Sequence, residues 1–182
     1  MGLGYATYVI VDANTYQAVE ESKLSFMRPT QGPRVVALGE VIGEMQIPRL
    51  GLKVVFVQGD SLRILRRAVG HISETPLPGE PGNVVLTGHR DSFFRPLRNI
   101  QSGDAIALKT SDGDFQYQVE STSVVSPDDM QVLQPSREPT LTLITCFPFY
   151  YVGPAPKRFV IRARQMEASP AQSSIAEIAP RL

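Results

Sequence analysis

With 182 residues, 42% of them hydrophobic and 20% charged, the chain suits one globular domain with its own core and terminal extensions. Lysine plus arginine and aspartate plus glutamate stand at 18 each, which argues against the excess positive charge that nucleic-acid or polybasic membrane binding draws on. A single cysteine excludes an internal disulfide and leaves one thiol to account for.

Residues 5–27 have helical character: Tyr5, Tyr8, Val9, Tyr16 and Val19 recur at helix-like intervals, and "AVEESKL" consists mostly of good helix formers. The apolar run "LGYATYVIV" within this region falls far short of the ~20 residues of a spanning helix. Read alone it is a terminal helix packed on the domain, and its position directly after Met-Gly also fits the cut end of a longer anchor. "RPTQGP", ending at Pro33, breaks the pattern and divides a helical extension (1–33) from the main domain (34–166).

After the break come short strands separated by turns. "VVALGEVIGEMQIPRLGLKVVFVQG" holds several β-branched runs interrupted by Gly and Pro, and "SLRILRRAVGH" reads as one short helix opened by Ser61. His71 then marks the exit from that helix. "NVVLT" is a buried-strand signal ending at Gly88. "SGDAIALKTSDGDFQYQVESTSVV" is a hairpin turning at Asp112-Gly113, with Phe115, Tyr117 and Val119 alternating against polar residues. "SPDDMQVLQPSREP" is a loop. "TLITC" and the run Phe159 to Ala163 are two more strands around a proline-rich link, and residues 167–182 form a weakly ordered tail. About eight strands with one or two short helices imply a mainly β fold, a closed or nearly closed barrel.

Cys146 closes one strand run and His89 stands just past another. A thiol left to itself is only a few per cent ionised at neutral pH, so nucleophilic use of Cys146 requires a cationic partner and donors for an oxyanion. His89 and Arg158 are of the right type, if the strand ends share a rim. The residues also allow a plainer account. Free cysteine is among the most buried residue types, and Lys157, Arg162 and Arg164 compete with Arg158. Two histidines and one cysteine without tight spacing do not make a zinc site, and the acidic residues near Asp112 and Asp128 do not form a calcium loop.

"TLITC", followed by an arginine at the head of the next strand, resembles the sortase signature. "GEMQIPRLGLKVVFVQG" is similar to the early sortase strands, and "AVGHISETPLPGEPGNVVLTGHRDSFFRPLRNIQSGDAI" to the segment carrying the family's histidine. The resemblance covers roughly residues 38–164, in family order, and "TCFPFYYVGPAPKRFVIRA" looks most like class D. It implies an eight-stranded sortase β-barrel and a cysteine transpeptidase that cleaves a Leu-Pro-x-Thr-Gly-like signal after threonine through a thioacyl intermediate.

Carried over by position, the resemblance makes Cys146 the nucleophile, with His89 and Arg158 as its partners. It makes Thr145, Thr87, Gly88 and Phe147 substrate-binding residues. No cofactor or metal is expected, and calcium modulation has no support in the sequence. The implied partners are surface proteins bearing a C-terminal sorting signal and an amine acceptor such as peptidoglycan precursor, with no nucleic acid. The implied place is the extracytoplasmic face of the bacterial membrane. "LGYATYVIV" then becomes the remnant of a membrane anchor, and the chain a soluble truncated form. Phe147, Phe149, Tyr150 and Tyr151 either line an apolar groove or simply pack the loop that Pro148, Pro154 and Pro156 stiffen.

Overall fold

Apolar runs bounded by glycine and proline become strands, and the inward residues of each strand fill one interior. The computed structural model describes residues 12–22 and 35–166. The expectations for the apolar run at the start, the breaker cluster and the tail fall outside these residues. Residues 12–22 are helical (α1), within the span that the apolar spacing marks. The strands are β1 (Val41–Ile47), β2 (Leu52–Gln58), β3 (Val69–His71), β4 (Asn83–Gly88), β5 (Ala105–Thr110), β6 (Gly113–Val125), β7 (Thr140–Phe147) and β8 (Lys157–Gln165). They close into a barrel in the order β1-β2-β3-β4-β7-β8-β6-β5. Closure leaves no unpaired sheet edge among the described strands.

Two neighbours in the barrel run parallel, β2 with β3 and β4 with β7; every other adjacent pair is antiparallel. The expected β5–β6 hairpin forms, and it turns at Ser111 and Asp112, one residue ahead of the Asp-Gly pair, with Gly113 opening β6. On β6, Tyr117 and Val119 are buried and Phe115 packs half-buried against the core. Burial pushes the Tyr117 phenol well above its ordinary range.

The helix expected from Ser61 to Gly70 is shorter than its leucine spacing suggests. Only Leu62–Leu65 is α-helical (α2), with the Ser61 hydroxyl accepting from the Ile64 N–H. The chain then returns as β3, and Val69 and Gly70 pair with Phe56 and Val57 of β2. Tertiary pairing overrides helical propensity here. Gly70 permits it, because a Cβ at this position would stand 2.4 Å from the Gly59 carbonyl oxygen. The loop 126–139 also holds structure, a 3-10 turn at Met130–Leu133.

The barrel interior is one apolar cluster that includes Met45, Phe56, Leu86, Leu108, Leu143 and Ile161. Outside it, α1 covers β2: Tyr16 packs on Val41, Val55, Val57 and Ala68, and Gln17 accepts from the Val55 N–H and donates to the Arg67 carbonyl. A second outer cluster, Val85, Ile144 and Val160, lies on β4, β7 and β8 and is capped by Val132 and Leu133. The inner set on β7 is Leu141 and Leu143. Strand alternation therefore puts Ile144 and Cys146 on the outer face.

Between β4 and β5, Asp104 is buried and holds Arg49 in a two-pronged ion pair, Nη2 to Oδ2 at 2.6 Å, while also accepting from the Gln101 N–H. The hydrogen bond from Arg49 holds the Asp104 carboxyl below its ordinary range. Its contribution to stability is therefore fully present above the unfolded-state value near ~3.9 and is lost as pH falls through the folded value. Asp104→Asn is expected to lower stability at pH 7 by roughly 1–2 kcal/mol and to flatten the acid limb of a urea-denaturation series measured from pH 6 to pH 3.

Candidate active site

The ladder between β4 and β7 aligns the two segments that lead to His89 and Cys146. Gly88 is the register partner of Thr145, so His89 and Cys146 each follow directly after one paired position. On the other side of β7, Cys146 is the register partner of Arg158. Directly opposed residues of an antiparallel pair present their side chains on one face, with Cβ atoms roughly 5 Å apart. All three side chains are half-buried. A thiol, an imidazole and a guanidinium thus stand at one rim, on the outside of a closed barrel.

The family model of the sortase domain matches residues 45–166. The chain belongs to the sortase family. It is 32% identical to Sortase D of Bacillus subtilis (strain 168) over 90% of this chain and 91% of that protein. It is 29% identical to Sortase A of Bacillus anthracis over 59% of this chain and 52% of that one. Among solved structures, a Sortase D5 transpeptidase of Clostridium perfringens matches with a TM-score of 0.71 at 25% identity, covering 86% of this chain and 99% of that one. Sortase C of Clostridium perfringens, solved with the C-terminal cell wall sorting motif, matches with a TM-score of 0.68 at 26% identity and 92% coverage of each chain. The eight-stranded barrel and the likeness to class D, both expected from the motifs, agree with these relatives.

Around the rim of this sortase, Thr145 is buried and donates its hydroxyl to the Gly88 carbonyl at 2.7 Å. It bonds the last residue of β4 to the residue before the thiol. Gly88 faces the core, where an added Cβ would come within 3.0 Å of the Phe94 ring. Phe94 in turn donates its N–H to the His89 carbonyl at 3.0 Å. Thr87 is half-buried and pairs with Ile144 on the outer face. Phe147 stacks on Phe159 with centroids 6.3 Å apart and meets Phe149 edge-on at 6.2 Å, while Phe149 packs on the barrel core. The base of the β7–β8 loop is thus an aromatic plug. Its tip is exposed: Tyr150 is 79% accessible and Val152 95%.

Arg158 donates Nη1 to the Ala155 and Lys157 carbonyls, at 3.3 Å and 3.0 Å. Its guanidinium is therefore braced against the loop it follows. Two residues at the rim lie outside the set taken from the motifs. Arg90 donates Nη2 to the Tyr151 and Gly153 carbonyls and sits over the Tyr151 ring, and Arg98 sits over the Tyr150 ring at 5.7 Å. Arg90 was legible as the residue after the histidine in "TGHRD", but nothing local told where its side chain would reach.

His71 is elsewhere and differently placed. It is buried in β3, with Nδ1 facing the Gln58 side-chain amide at 2.8 Å and Nε2 at 2.9 Å from the Pro76 carbonyl. Burial lowers its pKa, against the opposing pull of the Pro76 carbonyl and of Glu80 and Glu74.

Two predictions separate scaffold from chemistry. Thr145→Val keeps the shape but leaves the Gly88 carbonyl without its donor; it should cost roughly 1–2 kcal/mol in urea denaturation and reduce, not abolish, turnover, with Thr145→Ser close to wild type. For His71, the unfolded chain takes up a proton first as pH falls below about 6.5, so stability drops until the lower folded value is reached. His71→Gln should therefore reduce the slope of stability against pH between pH 7 and pH 5.5 by up to ~1.4 kcal/mol per unit.

Proposed function

We propose that this rim is a transpeptidase centre that cleaves a Leu-Pro-x-Thr-Gly-like sorting signal after threonine and passes the acyl group to an amine. The pairing of Cys146 with Arg158, beside the pairing of Gly88 with Thr145, is the observation that carries this reading. Cys146 Sγ attacks the threonyl carbonyl and a tetrahedral oxyanion forms. Arg158, already oriented by two backbone carbonyls, donates to that oxyanion or to the adjoining substrate carbonyl. His89 stabilises the thiolate before attack, then protonates the glycyl amine as the Thr–Gly bond breaks. The thioester is resolved when an amine attacks the same carbonyl, His89 takes its proton, and Cys146 leaves as thiolate.

Phe147 and the aromatics after it would restrict water around the thioester, favouring amine over hydrolysis. Thr145, Thr87 and Gly88 support the groove from beneath, holding its two walls together at the strand ends. The substrates under this reading are surface proteins with a C-terminal sorting signal, acted on at the outer face of the bacterial membrane and joined to a cell-wall amine. The relative solved with a cell wall sorting motif supports that substrate class.

The test is product analysis with a fluorogenic Leu-Pro-x-Thr-Gly peptide. Added amine should divert product from the free acid to the amide in proportion to its concentration; product that never responds to amine would overturn transpeptidation. Cys146→Ala and His89→Ala should abolish turnover. Arg158→Lys should lower kcat/KM by roughly 10²-fold or more, since lysine lacks the planar fork.

A further inference from the structure

The loop between the catalytic strand ends, residues 148–156, is held at its tip by a side chain from the opposite wall. Arg90 is the residue directly after His89. Its Nη2 donates to the Tyr151 carbonyl at 2.6 Å and to the Gly153 carbonyl at 3.0 Å, and its guanidinium lies 5.8 Å from the centroid of the Tyr151 ring. One side chain thus joins the segment carrying the histidine to the loop that starts just after the cysteine. The tip is otherwise open to solvent at Tyr150 and Val152, so among the described residues few other contacts oppose its movement. Arg98 over Tyr150 is the secondary restraint.

The clamp is incomplete. Arg90 Nη1 is buried and meets no acceptor among the described residues. A buried donor without a partner offsets part of what the bonded donors contribute. The hold is therefore the pair of Nη2 bonds and the ring contact, with one donor of the same guanidinium left unused.

We propose that Arg90 is a positioning residue that latches the β7–β8 loop against the histidine segment and so sets how wide the substrate groove stands over Cys146. The inference rests on the reading of Cys146 and His89 as the reacting pair. It assigns Arg90 no proton or oxyanion. Its effect falls on which peptides seat, and how well, more than on the chemical step.

The test uses Arg90→Lys, which keeps the charge but cannot hold two carbonyls in a fork, Arg90→Gln, which removes the charge, and Tyr151→Leu, a change on the exposed side of the latch. Alkylation of Cys146 is timed with iodoacetamide and with a bulky maleimide, alongside steady-state kinetics on the fluorogenic peptide. The ratio of bulky to small alkylation rates should rise severalfold in both arginine variants and less in Tyr151→Leu. KM should rise about tenfold with kcat within about threefold of wild type. An unchanged alkylation ratio in all three variants overturns the latch whatever the kinetics. A loss of kcat as deep as that of His89→Ala, with KM unchanged, also overturns it, because Arg90 would then act in the chemistry itself. The alkylation arm needs no turnover, so failure of the latch is distinguishable from failure of the transpeptidase reading.

Discussion

The parallel ladder from Asn83–Thr140 to Gly88–Thr145 is the constraint on which the rim depends. Parallel neighbours cannot be joined by a tight turn. β4 and β7 are separated in sequence by a 3-10 turn, the β5–β6 hairpin and a further loop, yet their register decides whether His89 meets Cys146. Register in a sheet is an all-or-none property, since a slip of one residue exchanges the two faces of the strand. Two side-chain hydrogen bonds pin this one at opposite ends. Thr142 donates to the Asn83 side chain at 2.6 Å, and Thr145 donates to the Gly88 carbonyl at 2.7 Å. Asn83 also donates to the Val132 and Gln134 carbonyls, tying the loop before β7 to the start of β4. Polar groups inside this wall thus specify alignment, while the apolar cluster supplies bulk stability.

From that alignment the placement of the thiol follows. Leu141 and Leu143 face the interior, and period-two alternation sends Cys146 outward beside Arg158. The sequence marks this parity only in part. In "TLTLITC" Leu141 and Leu143 alternate with Thr140 and Thr142, but Ile144 is an apolar residue on the outer face, in a cluster that Val132 and Leu133 pack against. The alternation is lost just before the cysteine, and a strand end covered on both faces makes a cysteine there read as core.

Strands and the tight hairpin were legible because their signals are local: β-branched runs, alternation along β6 and the Asp-Gly turn. The short strand β3 was not, because its two determinants are non-local. One is a parallel partner in β2; the other is the need for a residue without a Cβ beside the Gly59 carbonyl. The two histidines illustrate the same division. Their neighbours in sequence look alike, each following a glycine, but His71 lies inside β3 with partners on both ring nitrogens, and His89 lies just past β4. In the sequence the strand signal before His89 and the family motif separated them, not the residue type, and the fold supplies the physical reason.

The loop after Cys146 shows how a rigid centre and an adaptable boundary coexist. At its base, Phe147, Phe149 and Phe159 interlock and join the core, so the residues nearest the sulfur cannot drift. At its tip, the chain is exposed and restrained by arginines reaching from the histidine side. Chemistry of this kind tolerates little misplacement of the reacting groups, which argues for fixing them on strand ends. Selection among peptides calls for a surface whose changes leave those ends undisturbed. A loop anchored aromatically at its root and latched electrostatically at its tip meets both demands, because altering the tip moves the groove wall without moving Cys146 off its partner Arg158.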